Sequence, residues 1–316
     1  MIDIIIPAYN AHSTITRTLF SIASQINLKD LNIYIVNDAS SMDYSHEISY
    51  FKETMNIHEL ILKENSGPGV ARQFGIDNST SEYIVFIDAD DIFFNSFSLK
   101  ILYENISNSN YDIVISSFNE MLDDGSFLPH NNDSIWLHGK IYRRSFLEKN
   151  NIKFNNSRTN EDNGFNQLVL LHNSNVKDID DCTYIWMYNS NSITRKNHHE
   201  YLFNGLFGYI YNITWALTIA IRANCDNQKI SELTFATLIT IYYYYIMFLD
   251  NPNVNRLLED SKDLYQISLN YPLDSDETKS NLWQKQFNAI AKDINIEDRL
   301  NPPISLNEFF MKIERT

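Results

Sequence analysis

Residues 84–91 read Ile84-Val85-Phe86-Ile87-Asp88-Ala89-Asp90-Asp91, four apolar residues followed by three carboxylates in four positions. A short apolar run of this kind is typical of a strand buried in a parallel sheet. Carboxylates crowded at the end of a strand repel one another, and a hard divalent cation is the usual compensation. The same residues can also form a solvated turn in which an aspartate caps a helix. The pattern therefore predicts a buried strand that ends at a metal site or at a capped turn.

The sequence on either side repeats this alternation of short apolar runs with helical patterns. Such alternation is typical of an α/β domain in which helices cover a mostly parallel sheet. From about residue 200 the pattern becomes wholly helical. We therefore expect an α/β domain over residues 1–198 and an all-helical C-terminal appendage over residues 199–316. The predicted strands of the first region are 2–6, 31–36, 58–62, 83–87, 113–117 and 183–188, and its predicted helices are 12–25, 42–55, 68–77, 145–149 and 163–172.

Composition sets limits on the class of protein. The chain has 316 residues, of which 44% are apolar and 21% charged, as expected for a folded globular protein of about two domains. The two cysteines, Cys182 and Cys225, are too few for a disulfide framework or a four-cysteine zinc site. The net charge of −15 argues against non-specific binding of nucleic acid, which needs a cationic surface.

Two apolar stretches later in the chain raise the question of membrane contact. Residues 201–221 are interrupted by polar side chains, and residues 233–249 are short for a span of about 20 residues. We expect both to be buried core helices, and the N-terminus shows no secretory signal pattern. The expected location is cytoplasmic, with contact at the inner face of the membrane as an alternative. The run Tyr242–Tyr245 covers every side of one helical turn, which favours core packing or a subunit interface.

Polar residues follow the other predicted strands as well. Ligands of open α/β sheets bind outside the carboxyl ends of the strands, so these residues are expected to share one crevice. The loop after the second strand carries Asp38, which can act as a hydrogen-bond acceptor for a ligand or stabilise an Asx-turn. A glycine turn at Gly67 precedes a helix with Arg72 one turn in, which suits an anion site or a plain loop–helix junction.

Seven segments, in order along the chain, resemble motifs of the family-two glycosyltransferases of GT-A fold. They are residues 4–10, 36–40, 65–75, 87–91, 139–147, 161–165 and 191–195. The resemblance covers about residues 1–198 and implies a Rossmann-like GT-A domain. It also implies a nucleotide-sugar-binding half over residues 1–117 and an acceptor-side half over residues 118–198.

The resemblance further implies roles for individual residues. Asp38 corresponds to the acid that hydrogen-bonds uracil, and Arg72 to an arginine that reaches the nucleotide. Asp88 and Asp90 correspond to the D-x-D motif that binds Mn²⁺ or Mg²⁺, with Asp90 preferred as the direct ligand. One departure is Ala39, which stands where glycine is usual. The full set expected to bind the nucleotide sugar is Pro7, Ala8, Tyr9, Asn10, Asp38, Gly67, Arg72, Asp88, Ala89, Asp90 and Arg195.

The acceptor side of the reaction needs a general base. The resemblance assigns this role to Asp162, and a single base suits a one-step displacement that inverts the anomeric centre. The alternative for Asp162 is a helix N-cap. Arg195 or Lys196, on a loop that can close, is expected to assist the leaving diphosphate, with a solvated basic turn as the alternative.

The leading hypothesis is thus an inverting, metal-dependent transfer of a sugar from a UDP-sugar to a glycan or surface polysaccharide. The alternatives are a non-catalytic module that binds sugar nucleotides or glycans, and a glycosyltransferase acting on a protein or a modified DNA base. A nucleotidyltransferase is disfavoured because no glycine-rich signature follows the first strand. For the helical appendage we expect acceptor binding, homo-oligomerisation or contact with a membrane surface.

Overall fold

The computed structural model describes residues 1–26, 31–172, 174–189, 198–290 and 300–316. The chain divides into two compact units, one over Met1–Leu170 and Ser174–Lys196 and the other over Leu171–Asn173 and Asn197–Thr316. The strands of the first unit are β1 (Ile2–Ala8), β2 (Leu31–Asn37), β3 (Asn56–Ile61), β4 (Tyr83–Phe86), β5 (Ile92–Phe93), β6 (Ile113–Met121), β7 (Phe127–His130), β8 (Lys140–Arg143) and β9 (Val176–Trp186). The helices flanking them are α1 (Ile15–Ala23), α2 (Ser45–Ser49), α3 (Pro68–Asp77), α4 (Ser98–Ser107), α5 (Arg144–Lys149) and α6 (Glu161–Leu171).

These nine strands of the described residues form one mixed sheet in the order β3-β2-β1-β4-β8-β6-β9-β5, with β7 paired to β6. Strands β1 to β4 pair in parallel, whereas β8 lies antiparallel between β4 and β6. The carboxyl ends of β1, β2 and β4 therefore lie at the same edge of the sheet. The predicted α/β fold is confirmed, and the antiparallel strands make the sheet mixed.

Buried isoleucines explain why β1 takes the centre of the parallel half. Ile4, Ile5 and Ile6 are completely buried, and continuous burial of both faces suits a strand covered by helices on each side. β1 pairs with β2 along its whole length, so Ala8 lies opposite Asn37. This register brings the two following loops together.

Two helices differ from the expectation. The predicted helix 42–55 is reduced to α2, and turns replace helix after Ser49. The patterns considered above do not include α4, although Leu99, Leu102 and Ile106 form its buried face at helical spacing. The helix α3 has the predicted bounds, because Pro68 at its first position follows Gly67.

The described elements of the second unit are all helical, as predicted. They are α7 (His198–Arg222), α8 (Asn227–Met247), α9 (Asn255–Asp260), α10 (Lys262–Asn270), α11 (Asp276–Ala289) and α12 (Leu306–Arg315). Asp226 caps α8 by accepting from the backbone N–H groups of Gln228 and Lys229, and Ser305 and Glu308 form a capping box at α12. No helix in the described part of the chain has both the length and the apolar character needed to cross a bilayer.

The tyrosine run of α8 packs inside the second unit. Tyr242, Tyr243 and Tyr245 are at most 2% exposed. Tyr242 packs against Trp283 and Phe309, and its hydroxyl donates to the carbonyl oxygen of Ile304 at 2.7 Å. Core packing therefore accounts for these three tyrosines, whereas Tyr244 is partly exposed and a subunit interface stays a prediction.

Candidate active site

A buried arginine connects the end of β4 to the start of α6. Arg72, on α3, is 5% exposed. Its Nη2 donates to Asp88 Oδ1 at 2.7 Å, and its Nη1 donates to Glu161 Oε1 at 2.7 Å. Burial opposes the charged guanidinium, but Asp88 and Glu161 outweigh burial and raise the pKa of Arg72. The same arginine lowers the pKa of Asp88 against the opposing effect of burial. Asp88 is thus ionised, and the two elements are held together.

The carboxylates after β4 form a cluster with a histidine that precedes β8. Donor atoms of Asp88, Asp91 and His138 lie within 4.8 Å of one another. His138 Nε2 is 3.9 Å from Asp88 Oδ2 and 3.8 Å from Asp91 Oδ2, distances too long for direct hydrogen bonds. Two ligands of one Mg²⁺ lie at most about 4.2 Å apart, because each is about 2.1 Å from the ion. The two distances from His138 lie within this limit, so one cation could contact His138 together with either carboxylate.

Electrostatics within the cluster also fit a cation. Burial lowers the pKa of His138, so its imidazole is neutral at pH 7 and can offer a lone pair. Burial, with repulsion from Asp88 and Asp90, raises the pKa of Asp91 well above its ordinary value. Asp91 accepts from the Tyr184 hydroxyl of β9 at 2.5 Å and from the N–H of Met187, the residue after β9, at 2.8 Å. A cation would stabilise the ionised form of this buried carboxyl group.

The D-x-D prediction named Asp88 and Asp90 as the metal ligands. Within the described residues the clustered set is instead Asp88, Asp91 and His138, and Asp90 points elsewhere. Its Oδ2 accepts from Asn189 Nδ2 at 2.9 Å, while its backbone carbonyl accepts from Arg17. Partial burial raises the pKa of Asp90, with Asn189 opposing the shift and Asp88 adding to it. The role of Asp90 as a direct ligand stays a prediction.

Asp162 lies in the first turn of α6, next to the arginine-bound Glu161. Its Oδ1 accepts from the Asn163 N–H at 2.8 Å, one of the N–H groups in the first turn that have no partner within the helix. Because α6 begins at Glu161, Asp162 lies inside the helix and is not its N-cap. Burial and the negative charge of Glu161 raise the pKa of Asp162 to about 7, although Arg72 opposes the shift. A carboxylate with a pKa near neutrality is suited to accept a proton from a hydroxyl group.

The loops after β1 and β2 are tied to each other. Asn10 donates its backbone N–H to Ser40 Oγ at 2.9 Å, and its Oδ1 accepts from the Ser41 N–H at 3.0 Å. Tyr9 is 55% exposed beside this junction and can face a ligand. Ala39 has a φ of 55°, in the left-handed region that favours glycine, which accounts for the glycine usual at this place. The binding roles of Pro7, Ala8, Tyr9 and Asn10 stay predictions.

Asp38 binds the loop that precedes α3. Its two carboxylate oxygens accept from the backbone N–H groups of Ser66 at 2.7 Å and Gly67 at 2.9 Å. These two N–H groups, which precede α3, are therefore occupied by the chain's own carboxylate, and the nucleotide-binding role of Gly67 stays a prediction. Gly67 has a φ of 93°, and a side chain there would also crowd Arg158, so glycine is required for this turn. Contact of Asp38 with uracil stays a prediction.

The structure brings three of the predicted site residues, Arg72, Asp88 and Asp162, into one region. Contacts directly link Arg72, Asp88 and Glu161, and Asp162 follows on the same helix. Arg195 and Lys196 lie outside the described residues. The sequence analysis did not assign Asp91 and His138 to the metal cluster. Asp91 lies just outside the D-x-D motif, and the residues around His138 show no spacing typical of metal ligands.

An α/β sheet that gathers carboxylates, an arginine and a histidine at its strand ends is the architecture expected of a GT-A glycosyltransferase. The model of the family described as Glycosyl transferase family 2 matches residues 3–160, half of the chain. The chain therefore belongs to glycosyl transferase family 2.

Individual relatives agree with this assignment. The uncharacterized glycosyltransferase EpsJ of Bacillus subtilis is 30% identical over 220 residues, which cover 61% of this chain and 63% of that protein. The chain thus spans less than two thirds of this relative's length. The solved structure of Staphylococcus aureus TarS 1-349 in complex with UDP-GlcNAc matches with a TM-score of 0.69 at 18% identity, covering 99% of this chain and 90% of that one. The mannosyltransferase PcManGT from Pyrobaculum calidifontis, in complex with GDP-Man and Mn²⁺, matches with a TM-score of 0.56 at 14% identity, covering 99% and 86%. These two likenesses concern the fold.

Proposed function

We propose that this glycosyltransferase moves a sugar from a UDP-sugar to an acceptor hydroxyl with inversion of the anomeric centre. The observation that supports the proposal is the Arg72 bridge, which joins the candidate metal ligand Asp88 to Glu161, next to Asp162. One buried side chain thereby fixes the donor side and the acceptor side of a single reaction in one frame.

Asp162 acts as the base in this reaction. Its ionised carboxylate accepts the proton of the acceptor hydroxyl while the acceptor oxygen forms a bond to the anomeric carbon. The bond between that carbon and the phosphate oxygen breaks, and UDP leaves with the bonding electron pair. Because the pKa of Asp162 is about 7, a large share of the enzyme has this carboxylate ionised at neutral pH, and the carboxylate can hold the proton that it accepts. One base and one displacement give inversion.

Asp88, Asp91 and His138 are the residues that would hold Mn²⁺ or Mg²⁺. The ion would supply positive charge to the leaving diphosphate. Asp90 is the fourth candidate ligand, carried over from the D-x-D resemblance. Arg72 keeps Asp88 ionised and in place. The hydrogen bonds from Tyr184 and Met187 hold the Asp91 carboxyl group in position.

The donor and the acceptor are inferred with support from the relatives. TarS is named as a poly(ribitol-phosphate) β-N-acetylglucosaminyltransferase and has been solved with UDP and with UDP-GlcNAc, which supports a uracil nucleotide here. PcManGT, with GDP-Man and Mn²⁺, supports a divalent metal. We infer a glycan or surface polysaccharide as the acceptor, in the cytoplasm or at the inner face of the membrane.

The test is a donor screen on the whole chain. Thermal stability is measured with Mn²⁺ and UDP-glucose, UDP-galactose, UDP-GlcNAc or GDP-mannose, followed by detection of the released nucleotide. A donor at 100 times its Kd should stabilise the protein by about 2.7 kcal/mol. Stabilisation by GDP-mannose alone would contradict the UDP assignment. Binding of a UDP-sugar with no turnover on any glycan would favour the non-catalytic alternative instead.

A further inference from the structure

Two tryptophans lie beside the acidic cluster, and the mechanism above gives neither of them a role. Trp136 and Trp186 are both partly exposed, and their ring centroids are 5.5 Å apart. Each ring also contacts His138: Trp136 stacks on it at 6.0 Å with an interplanar angle of 10°, and Trp186 packs at 5.5 Å and 47°. The tryptophan pair is therefore continuous with the candidate metal site.

Buried polar groups fix the backbone that presents Trp136. Its N–H donates to Asp133 Oδ1 at 2.9 Å, and its carbonyl oxygen accepts from Asn166 Nδ2 at 3.0 Å and from Lys140 Nζ. Asn166 is 2% exposed and Lys140 is 1% exposed. Within the described part of the chain Lys140 forms no ion pair, and its ammonium group binds the carbonyl oxygens of this segment. Such anchoring fixes the backbone from which the Trp136 ring extends, which favours a pre-organised subsite.

We propose that Trp136 and Trp186 form a platform that binds the apolar face of a pyranose ring in the acceptor. The C–H bonds on that face carry partial positive charge and complement the negative face of an indole ring. Tryptophan offers this area at a low cost in side-chain entropy, because the ring has only two side-chain torsions to fix. Asn166, which holds the Trp136 carbonyl, lies on α6 one turn after Asp162, the proposed base for the acceptor. The rings therefore lie between the candidate metal site and the start of α6, and we assign the platform to the acceptor sugar that reacts there.

The inference rests on the proposed function and narrows its substrate class. A pyranose ring has a continuous apolar face, whereas an acyclic polyol phosphate such as ribitol phosphate has none. The platform therefore assigns a ring sugar to the reacting end of the acceptor, in contrast to the poly(ribitol-phosphate) in the name of TarS.

The experiment measures binding of small acceptor probes to the whole chain with UDP and Mn²⁺ present. The probes are methyl β-D-glucopyranoside, methyl β-D-galactopyranoside, the methyl β-glycoside of N-acetylglucosamine, and ribitol 5-phosphate. Trp136→Leu removes the aromatic ring while keeping an apolar side chain, and Trp136→Phe retains a ring. Phe127→Ala is the matched control, because Phe127 is a 51% exposed aromatic residue of the same unit.

We expect at least one methyl glycoside to bind and ribitol 5-phosphate not to compete with it. Trp136→Leu should weaken that glycoside about two- to tenfold, the effect of one aromatic contact, whereas Trp136→Phe and Phe127→Ala should stay within about twofold. Trp186→Leu should repeat the loss, so the test does not depend on one variant folding. Affinity for the UDP-sugar should be unchanged throughout.

Three results would overturn the platform. They are binding of ribitol 5-phosphate in place of the glycosides, glycoside affinity that survives both leucine variants, and a loss confined to the UDP-sugar, which would place the rings on the donor side. In each case wild-type binding of UDP remains, so the proposed function stands. Failure of the proposed function itself would appear as a wild-type chain that binds no nucleotide sugar.

Discussion

Replacement of Asp162 by asparagine should abolish most turnover and, at the same time, stabilise the protein. Asparagine keeps the size of the side chain and an oxygen that can accept from the Asn163 N–H, but it cannot take up a proton at neutral pH. A general base contributes roughly 10²- to 10⁴-fold to a rate, so turnover of Asp162→Asn should fall by that factor. Donor affinity should hardly change, because Asp162 is assigned to the acceptor.

The gain in stability follows from the raised pKa. The pKa of Asp162 is about 7 in the fold, against 3.8 for an unperturbed aspartate, so ionising it costs more in the folded than in the unfolded chain. The stability associated with the protonated form is complete below pH 3.8 and is lost as the pH rises toward 7. At about 1.4 kcal/mol per pKa unit the upper limit is about 4 kcal/mol. Because the side chain is only partly shielded from water, we expect a gain of about 1–3 kcal/mol at pH 8 and none at pH 4.

The assay combines turnover, donor Kd and Tm for wild type and variant between pH 4 and pH 9. Wild-type turnover should increase with pH through about 7, since the base works ionised, and the residual turnover of the variant should lack this step. Asp181→Asn, at an exposed position of β9, is the control and should change none of these three quantities. Near-normal turnover of Asp162→Asn, or a Tm difference that does not grow with pH, would refute the reasoning and move the base elsewhere, first to Glu161.

Three further substitutions test the surroundings of the site. Arg72→Met should destabilise the fold by about 3–5 kcal/mol in a denaturant titration, because it leaves Asp88 and Glu161 without their partner; a loss below about 1 kcal/mol would contradict the bridge. Ala39→Gly should raise the free energy of unfolding by about 0.5–1 kcal/mol, since it relieves a left-handed alanine, and an unchanged Tm would argue against that strain. His138→Gln should weaken Mn²⁺ binding at least tenfold in a calorimetric titration. In the wild type, UDP should raise the Tm less in EDTA than in Mn²⁺. An equal rise in Tm would contradict a role for the metal in donor binding.

The parallel half of the sheet could be predicted because its signals are local. β1 and β4 are short, almost wholly apolar runs, and α3 begins at a glycine–proline turn. The strands β5, β7 and β8 have two to four residues each and no apolar run long enough to stand out. β8 exists because its backbone pairs with β4 on one side and β6 on the other, and such long-range pairing leaves no local signal.

The residues of the candidate site also divide into those with a local sequence signal and those without one. Asp38, Asp88 and Asp162 could be found because each lies directly at a strand end or a helix start. His138 could not, because its position next to Asp88 and Asp91 depends on the placement of β8 between β4 and β6. The role of Arg72 as a bridge depended equally on a partner, Glu161, that is far away in the sequence.

From the sequence, the three carboxylates after β4 suited either a metal site or a capped turn. In the structure, each of the three carboxylates has a different environment. Asp88 is neutralised by Arg72, so the chain itself supplies that positive charge. Among the described residues, Asp91 accepts hydrogen bonds from the neutral groups of Tyr184 and Met187, and Asp90 accepts one from Asn189. Neutral donors reduce but do not remove the cost of burying charge, which is why the pKa values of Asp90 and Asp91 stay raised. The compensation is therefore incomplete on the side that faces His138, and a divalent cation is the ligand whose charge would complete it.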